Sequence, residues 1–434
     1  MFLDMKVHIT TYGCSANQAS SEIMIASVRD LGYELVDEMD AEVVVINTCT
    51  VKYTTEQKIL HKIEDLGAKG IDVVVTGCMP QVQLETILER NPDAHILGVN
   101  SIAKIGQVLR SIENSCKVGS RERVELITSE PEGFLKTAHS RFNPNIHICQ
   151  ISQGCDYSCA YCIVTIARGK LRSFDADSIV EDIRMAVDEG CREIWLTSQD
   201  NGQYGTDRDV LLPELLRRIV AIPGDFKIRV GMMNPFSVTP ILDDLIEVFR
   251  SDKIYKIVHL PIQSASDNVL KKMNRYHSIE EANGIVFRLR EAFPDLTLFT
   301  DIIVGFSSES DNDFNMTLEW VKTMKPDKVN ISRYTPRPLT KALEYRNLDT
   351  RIVVERSNKL HKLCDTIKLD SKKKMIGWKG EVFISMDAKV KGVMARTASY
   401  KPVVLPEGSV SPGTSCNVEI YDTTAGYFLG RVLD

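Results

Sequence analysis

The sequence has no apolar run approaching the ~18 residues of a membrane-spanning helix. Its first ten residues carry Asp4, Lys6 and His8, which leaves no room for a signal-peptide core. A Walker A loop, a GxGxxG fingerprint and an HExxH motif are all absent, so nucleotide hydrolysis, ordinary dehydrogenase chemistry and zincin-type proteolysis have no support. Aromatic residues make up only 7% of the chain, and there is no excess of positive charge, with 53 Lys and Arg against 59 Asp and Glu and a net charge of −6. The molecule as a whole is therefore not a generic polyanion binder, and any nucleic-acid surface has to be local. Internal repeats and low-complexity segments are missing too, and 43% hydrophobic residues mark an ordinary globular protein. Cysteine, by contrast, is plentiful. The 11 cysteines are odd in number and irregularly spaced over 434 residues, unlike the framework of a small secreted disulfide protein. A soluble cytoplasmic protein with reduced thiols and no membrane partner is expected, and metal or thiolate chemistry becomes the leading question.

At ~100 to 200 residues per domain, the length predicts two to four domains. Residues 1–115 alternate short β-branched runs with helical patterns, which predicts an α/β domain with a doubly wound parallel sheet. Its strands are expected at Val7–Thr11, Val43–Asn47 and Asp72–Thr76, with helices at Ala19–Leu31, Thr54–Leu66 and Gln81–Arg90; Gly32 and Gly67 stand where the first two helices should end. Residues 116–145, interrupted by Pro131 and Pro144, read as a linker. From 146 to 345 the alternation restarts as six β/α units, a partial or full barrel whose site would lie at the strands' C-terminal ends. A connecting helix over 346–373 leads to residues 374–434, where short strands punctuated by glycine and proline predict a small antiparallel β-barrel.

The sharpest local signal is Cys155-Asp156-Tyr157-Ser158-Cys159-Ala160-Tyr161-Cys162, a C-x3-C-x2-C cluster directly after an expected strand. Three thiolates on one loop can bind three irons of a [4Fe-4S] cube and leave the fourth open, and an open iron implies chemistry rather than electron storage. The alternative is structural zinc, which wants four protein ligands, and no fourth Cys or His lies in the loop. With Tyr161 as the aromatic before the third cysteine, this loop resembles that of the radical S-adenosylmethionine enzymes. The resemblance implies that the open iron binds the amino and carboxylate groups of S-adenosyl-L-methionine, and that Cys155, Cys159 and Cys162 are the catalytic cluster ligands.

Each of the three expected N-terminal strands also ends at a cysteine: Cys14, Cys49 and Cys78, separated by 35 and 29 residues. Singly, each reads as a small buried hydrophobe. Their recurrence at one level of a doubly wound sheet, where ligands bind outside the carboxyl ends of the strands, favours a shared site. Tyr12-Gly13-Cys14 with Asn17, Asn47-Thr48-Cys49 and Thr76-Gly77-Cys78 resemble the methylthiotransferase branch of the radical enzymes, as do Ala167-Arg168-Gly169, His259 to Ser264 and Asp301 to Phe306. The resemblance covers essentially the whole chain. It implies a second [4Fe-4S] cluster on Cys14, Cys49 and Cys78 that carries the sulfur to be inserted, and a C-terminal TRAM domain that binds RNA.

Asn47 to Lys52 and Trp195 to Gly205 look most like the archaeal and eukaryotic group. That likeness implies methylthiolation at C2 of N6-threonylcarbamoyladenosine at position 37, on the anticodon stem-loop of tRNA, by a monomer served by an electron donor and a sulfur donor whose identities stay open. Isopentenyl-modified adenosine or a ribosomal-protein aspartate as substrate, and a non-catalytic iron-sulfur RNA-binding protein, remain alternatives. Two departures from the family pattern stand out. Ser307 and Ser308 replace Pro-Gly, and Leu339 replaces a glycine.

For the cofactor, the resemblance points to Tyr161, Ser198 and Gln199, and strand-end logic adds Gln263, Ser264 and Asp301, whose other reading is as caps and turns. Arg168 reads as a possible carboxylate or phosphate partner, though a loop arginine is more often solvated. For RNA, residues 366–402 carry nine basic and three acidic side chains. Within them Lys379, Lys391, Arg396, Tyr400 and Lys401 are the expected contacts, against the reading of a solvated charged face. His147 and Cys149 read as core residues.

Overall fold

A computed structural model describes residues 5–118, 122–388 and 392–433. Strands β1 (Lys6–Thr11), β2 (Glu34–Leu35), β3 (Val43–Thr48), β4 (Asp72–Gly77), β5 (His95–Leu97) and β6 (Glu125–Leu126) form one parallel sheet in the order β2-β1-β3-β4-β5-β6. Both faces of this sheet are covered, which is why its central strands carry apolar runs from Val43 to Ile46 and from Val73 to Val75. Val43 and Val45 of β3 pack with Ile23, Met24 and Val28 of the helix Ser15–Asp30, while Val44 and Ile46 meet Ile59, Leu60 and Ile63 of the helix Tyr53–Ala68. The strand order reverses between β1 and β3, and a switch point of this kind opens a crevice at the strands' C-terminal ends. Gly67 does not end its helix as expected. The helix runs to Ala68, and Gly67 is needed instead for closeness, since a Cβ there would lie 2.6 Å from Nδ2 of Asn91.

The central part contains β7 (Ile146–Gln150), β8 (Ser152–Gln153), β9 (Arg172–Ser173), β10 (Glu193–Thr197), β11 (Lys227–Val230), β12 (Ile257–His259), β13 (Thr297–Val304) and β14 (Lys328–Arg333). Strands β7-β10-β11 and β12-β13-β14 are two parallel ladders. Backbone bonds join them at the seam, where Tyr255 N donates to Ile228 O at 3.0 Å and Met233 N to His259 O at 2.9 Å. Among the described residues no ladder joins β7 to β14, so the six strands make an open arc, a partial barrel. The short β8 and β9 pair antiparallel and frame the cysteine loop between them.

The helix Thr350–Lys373 leads to a closed barrel of β15 (Lys379–Asp387), β16 (Val393–Thr397), β17 (Pro402–Leu405), β18 (Ser415–Thr423) and β19 (Phe428–Val432), in the order β15-β16-β17-β19-β18. Val382, Ile384, Ala395, Val403, Val418 and Ile420 fill it. One pair, β17 with β19, is parallel, so the barrel is not wholly antiparallel as expected. Strand β18 closes the barrel against β15, and the return strand β19 then comes to lie beside β17 in the same direction. Among the described residues no helix is long and apolar enough to cross a membrane.

The two departures from the family pattern leave a mark on the backbone. Ser308 has φ +62° and Leu339 φ +63°, left-handed values normally filled by glycine. Ser308→Gly and Leu339→Gly are therefore expected to stabilise the protein by about 1 kcal/mol each, the αL cost of an L side chain less the backbone entropy of glycine. Thermal or denaturant unfolding of the two variants checks this; a loss of stability in both would show that the loops are not strained.

Candidate functional site

Cys14, Cys49 and Cys78 follow β1 and β3, which flank the switch point, and their neighbour β4. Side chains of the same three motifs lace their loops together. Asn17 Nδ2 donates to Tyr12 O at 2.7 Å and to Thr48 O at 2.8 Å. Asn47 Nδ2 donates to Asn17 O at 2.8 Å. Thr48 Oγ1 donates to Thr76 O at 2.5 Å, while Cys78 N donates to Thr48 O at 3.1 Å. The approach is close enough to require glycine: a Cβ on Gly13 (φ +110°) would sit 3.0 Å from Cys49 Cβ, and one on Gly77 (φ +86°) 2.5 Å from Thr48 O. Cys14 is exposed, Cys49 half-buried and Cys78 buried. Burial pushes the Cys49 thiol up to about 11 and raises that of Cys78, so as bare thiols both stay protonated at neutral pH, and a bound metal would take the proton's place.

Arg168, the last residue of the short helix Val164–Arg168 that follows the second cysteine set, sits against this trio. Cys78, Cys14 and Cys49 are the titratable groups that act on it. The expectation of a solvated arginine is overturned: only 4% of Arg168 is exposed, its Nη2 donates to Asn17 Oδ1 at 2.7 Å, and its Nη1 has no partner. Packing of the two domains buries it, which the loop sequence alone does not reveal. A buried guanidinium with no carboxylate partner is costly unless an anion lies beside it. Three thiolates on an iron-sulfur cluster are such an anion, and the residues present fit that group.

The second trio lies on the loop between β8 and β9. Gly154 precedes it at φ +79°, and a Cβ there would meet Lys170 O at 1.9 Å. Cys155 N donates to Gly169 O at 3.1 Å, Gly154 N to Gln199 Oε1 at 2.6 Å, Asp156 N to Gln203 Oε1 at 3.1 Å, and Leu171 N to Asp156 Oδ1 at 3.0 Å. The loop is thus pinned from its own base and from the end of β10. Burial pushes the Cys155 thiol up to about 12 and raises that of Cys162. Among the described residues, one set of three His, Cys, Asp or Glu ligand atoms lies within 4.8 Å of one another: His147, Cys149 and Asp182. Neither cysteine trio is drawn that tightly. A single zinc with Zn–S bonds of ~2.3 Å would bring its sulfurs to about 3.8 Å, whereas a cube binds each cysteine to a separate iron and spaces them more widely.

The polar residues expected at the barrel mouth divide. Gln199 supports the loop through Gly154. Ser198 Oγ is buried without a partner, as is Gln263 Oε1. Gln263 has φ +69° and bridges to β13, donating its N–H to Asp301 O at 2.9 Å and accepting from Ile303 N at 3.0 Å. Ser264 is fully buried and accepts from Ser266 N at 3.2 Å, a turn role. Asp301 accepts from His259 Nε2 at 2.8 Å and Asn330 Nδ2 at 2.7 Å. Burial is the largest single influence and opposes its charge, but His259, Asn330 and Lys328 together outweigh it and hold the carboxyl below the usual range. Tyr161 meets Phe306 edge-on at 6.3 Å. His147 is a core residue as read, bonded to Asp182 at 2.7 Å.

Sequence reasoning missed Arg275, Asn234 and Asp200. Arg275 Nη1 donates to Cys159 Sγ at 3.4 Å, and its Nη2 donates to Asn234 Oδ1 at 2.5 Å and Pro261 O at 3.0 Å. Asn234 in turn donates to Asp200 Oδ2 at 2.8 Å. Nothing in the local sequence marks Arg275, whose contact with the loop spans 116 positions. A cationic donor on a cluster thiolate favours the reduced cluster. Arg275→Gln is expected to shift the barrel cluster to a more negative midpoint at unchanged iron content, as read by an EPR redox titration.

Of the expected RNA contacts, Tyr400 is 5% exposed and packs edge-on against Tyr255 at 4.9 Å. Lys401 Nζ bonds Asp327 Oδ1 at 3.0 Å and Thr297 Oγ1 at 2.9 Å. Both therefore belong to the seam between the small barrel and the central arc rather than to a free surface. The Arg396 guanidinium lies 4.5 Å over the Tyr400 ring. Lys379 is exposed, with Glu419 at 4.0 Å, and Lys391 lies outside the described residues.

The chain matches the family described as Uncharacterized protein family UPF0004 over residues 6–98 and the Radical SAM superfamily over residues 149–321. It is 40% identical to the probable threonylcarbamoyladenosine tRNA methylthiotransferase of Pyrococcus abyssi, over 99% of this chain and 100% of that protein. It is 32% identical to the threonylcarbamoyladenosine tRNA methylthiotransferase of Danio rerio, over 99% of this chain and 78% of that protein. Among solved structures, the radical S-adenosylmethionine methyltransferase TsrM from Kitasatospora setae shares the fold, with a TM-score of 0.57 at 12% identity, over 99% of this chain and 85% of that one. A cysteine loop at the mouth of a partial barrel, an N-terminal domain that brings three further cysteines to meet it, and end-to-end similarity to these relatives identify the chain as a radical S-adenosylmethionine methylthiotransferase, a member of the threonylcarbamoyladenosine tRNA methylthiotransferase family.

Proposed function

We propose that this enzyme inserts a methylthio group at C2 of N6-threonylcarbamoyladenosine at position 37 of tRNA, using two [4Fe-4S] clusters. Cys14, Cys49 and Cys78 hold one, and Cys155, Cys159 and Cys162 hold the other. The observation that carries this reading is Arg168: it ends the helix that follows the second set, yet its charge is buried against the first. The clusters and S-adenosylmethionine supply the one-electron chemistry needed to replace an inert aromatic C–H, which acid–base groups alone do not activate.

The chain's own residues hold and orient. Gln199 and Gln203 fix the loop that presents Cys155, Arg275 donates to Cys159, and Asp301, pinned by His259 and Asn330, offers a charged carboxylate at the arc's C-terminal end. Ser198 and Gln263 each carry a buried oxygen with no protein partner, the state of a group that waits for a ligand. The five-stranded barrel is assigned as a TRAM domain for the anticodon stem-loop, with Lys379 as its exposed basic contact. The domain limits are proposed as 1–115, 146–345 and 374–434, with β6 of the intervening linker adding an edge strand to the N-terminal sheet, and the enzyme works in the cytoplasm.

Nucleoside mass spectrometry of tRNA from cells with and without the gene tests the reading. Loss of the 2-methylthio form with accumulation of threonylcarbamoyladenosine is expected, and an unchanged profile would sink it.

A further inference from the structure

A second buried arginine crosses from the central arc to the N-terminal domain. Arg337, on the loop after β14, is 4% exposed. Its Nη2 donates to Thr50 Oγ1 at 3.1 Å and to Glu56 Oε2, residues 287 and 281 positions away. Thr50 directly follows Cys49 and donates in turn to Gln83 Oε1 at 2.8 Å. Gln83 closes the turn after Cys78, its N–H donating to Met79 O at 2.8 Å. Arg337 thereby holds the loops of Cys49 and Cys78, while Arg168 reaches the Cys14 side through Asn17.

The same loop grips the other cysteine set. Ala342, five residues after Arg337, donates its N–H to Ala160 O at 2.8 Å, and Ala160 lies between Cys159 and Cys162. Ala342 and Ala160 are buried in one cluster with Phe306. Between the two anchors the loop braces itself: Thr340 Oγ1 donates to Arg337 O at 2.8 Å, and Tyr334 Oη donates to Ala342 O at 2.9 Å. Leu339, in the middle, is 65% exposed at φ +63°, so the loop's course is set by its anchors rather than by burial of its middle. A short segment tied at both ends and stiffened between them fixes the separation of what it is tied to. The proposed reaction depends on that separation, because a carbon activated by chemistry at one cluster has to meet sulfur carried at the other. A misplacement of about 1 Å in such an approach costs on the order of 10²-fold.

We propose that residues 336–342 are the spacer that sets the distance between the two clusters, with Arg337 as its positioning residue. The proposal rests on the two-cluster reading. The test uses the reconstituted full-length enzyme and reads iron per chain, the magnetic interaction between the two reduced clusters by EPR, and the ratio of 5′-deoxyadenosine formed to methylthiolated product. Arg337→Gln is expected to keep about eight irons and to change the interaction. It should also raise the ratio roughly tenfold, since cofactor cleavage continues while the sulfur stands out of line. Arg337→Lys should restore the ratio in large part. One glycine inserted after Leu339 leaves both anchors in place and is expected to raise the ratio as well.

A ratio and an interaction equal to those of the unaltered enzyme, in Arg337→Gln and in the insertion variant alike, would overturn the spacer. So would a proportional fall of both products at an unchanged ratio, which is what a general loss of stability produces. Removing Arg337 alone leaves Glu56, itself 5% exposed, without its cation. The double variant Arg337→Gln with Glu56→Gln removes both charges, is expected to show the same raised ratio, and keeps the test open where the single variant loses its fold. Only about four irons per chain in the unaltered enzyme, with no interaction signal, would sink the two-cluster reading itself. About eight irons with a ratio indifferent to every variant would sink the spacer alone.

Discussion

Cys49→Ala is expected to abolish methylthiolation while leaving reductive cleavage of S-adenosylmethionine measurable. Cys49 follows β3, packed against Gly13 and beside Cys14 and Cys78, and Arg168, which follows the second cysteine set, also acts on it. Its loss removes one of three ligands of the N-terminal cluster, and with it about four of about eight irons per chain. The barrel loop keeps its own supports at Gln199, Gln203 and Asp156. 5′-Deoxyadenosine should therefore still form. Cys159→Ala is the converse, with cleavage lost and the N-terminal iron retained. Iron analysis, 5′-deoxyadenosine assay and product mass spectrometry on the two variants read the separation. Equal loss of both activities in Cys49→Ala would refute the division of labour.

The other large effect is expected at Gly154, where one methyl group should unseat the barrel cluster. A Cβ at this position would lie 1.9 Å from Lys170 O and 2.7 Å from Gly169 O, both backbone atoms of the returning strand segment, and φ is +79°. Neither neighbour can give way, because Cys155 N is bonded to that same Gly169 O and Leu171 N to Asp156. Gly154→Ala must open the loop's base, and the first cysteine then moves away from the other two. Loss of about four irons and of 5′-deoxyadenosine formation is expected, with the N-terminal cluster intact. Gly169 supplies the control. It also has a positive φ, +75°, but nothing lies within 4 Å of its Cβ position, so Gly169→Ala carries only the backbone strain of about 1–3 kcal/mol and should keep its iron. If Gly154→Ala and Gly169→Ala behaved alike, steric closure would not be what holds the loop.

The Ser308 and Leu339 loops show how far a family likeness reaches into geometry. The pattern marks both positions as departures from glycine, and the backbone keeps the glycine conformation regardless, at φ +62° and +63°. Both loops follow strands of the arc, and the strain of a left-handed L residue stays in its backbone.

Short-range pattern made the strands, the two sets of three cysteines and the order of the three parts legible, because apolar periodicity, turn residues and ligand spacing are local properties. Convergence of Cys14, Cys49 and Cys78 followed from topology once β1, β3 and β4 were adjacent. Charge was harder to read. Arg168, Arg275, Tyr400 and Lys401 are all polar or cationic residues whose surroundings come from distant segments: Asn17 and the N-terminal cysteines for the first, Cys159 and Asn234 for the second, Tyr255 and Asp327 for the last two.

By itself, then, the sequence determined which cysteines stand in two sets of three and on which loops they lie, since a candidate ligand set is a matter of residue type and spacing. Only the tertiary structure decided which charges those sulfurs face. The energy of a buried cation depends on what the fold brings to within a few ångströms of it, and neither the burial nor the partner is encoded near the residue in the chain.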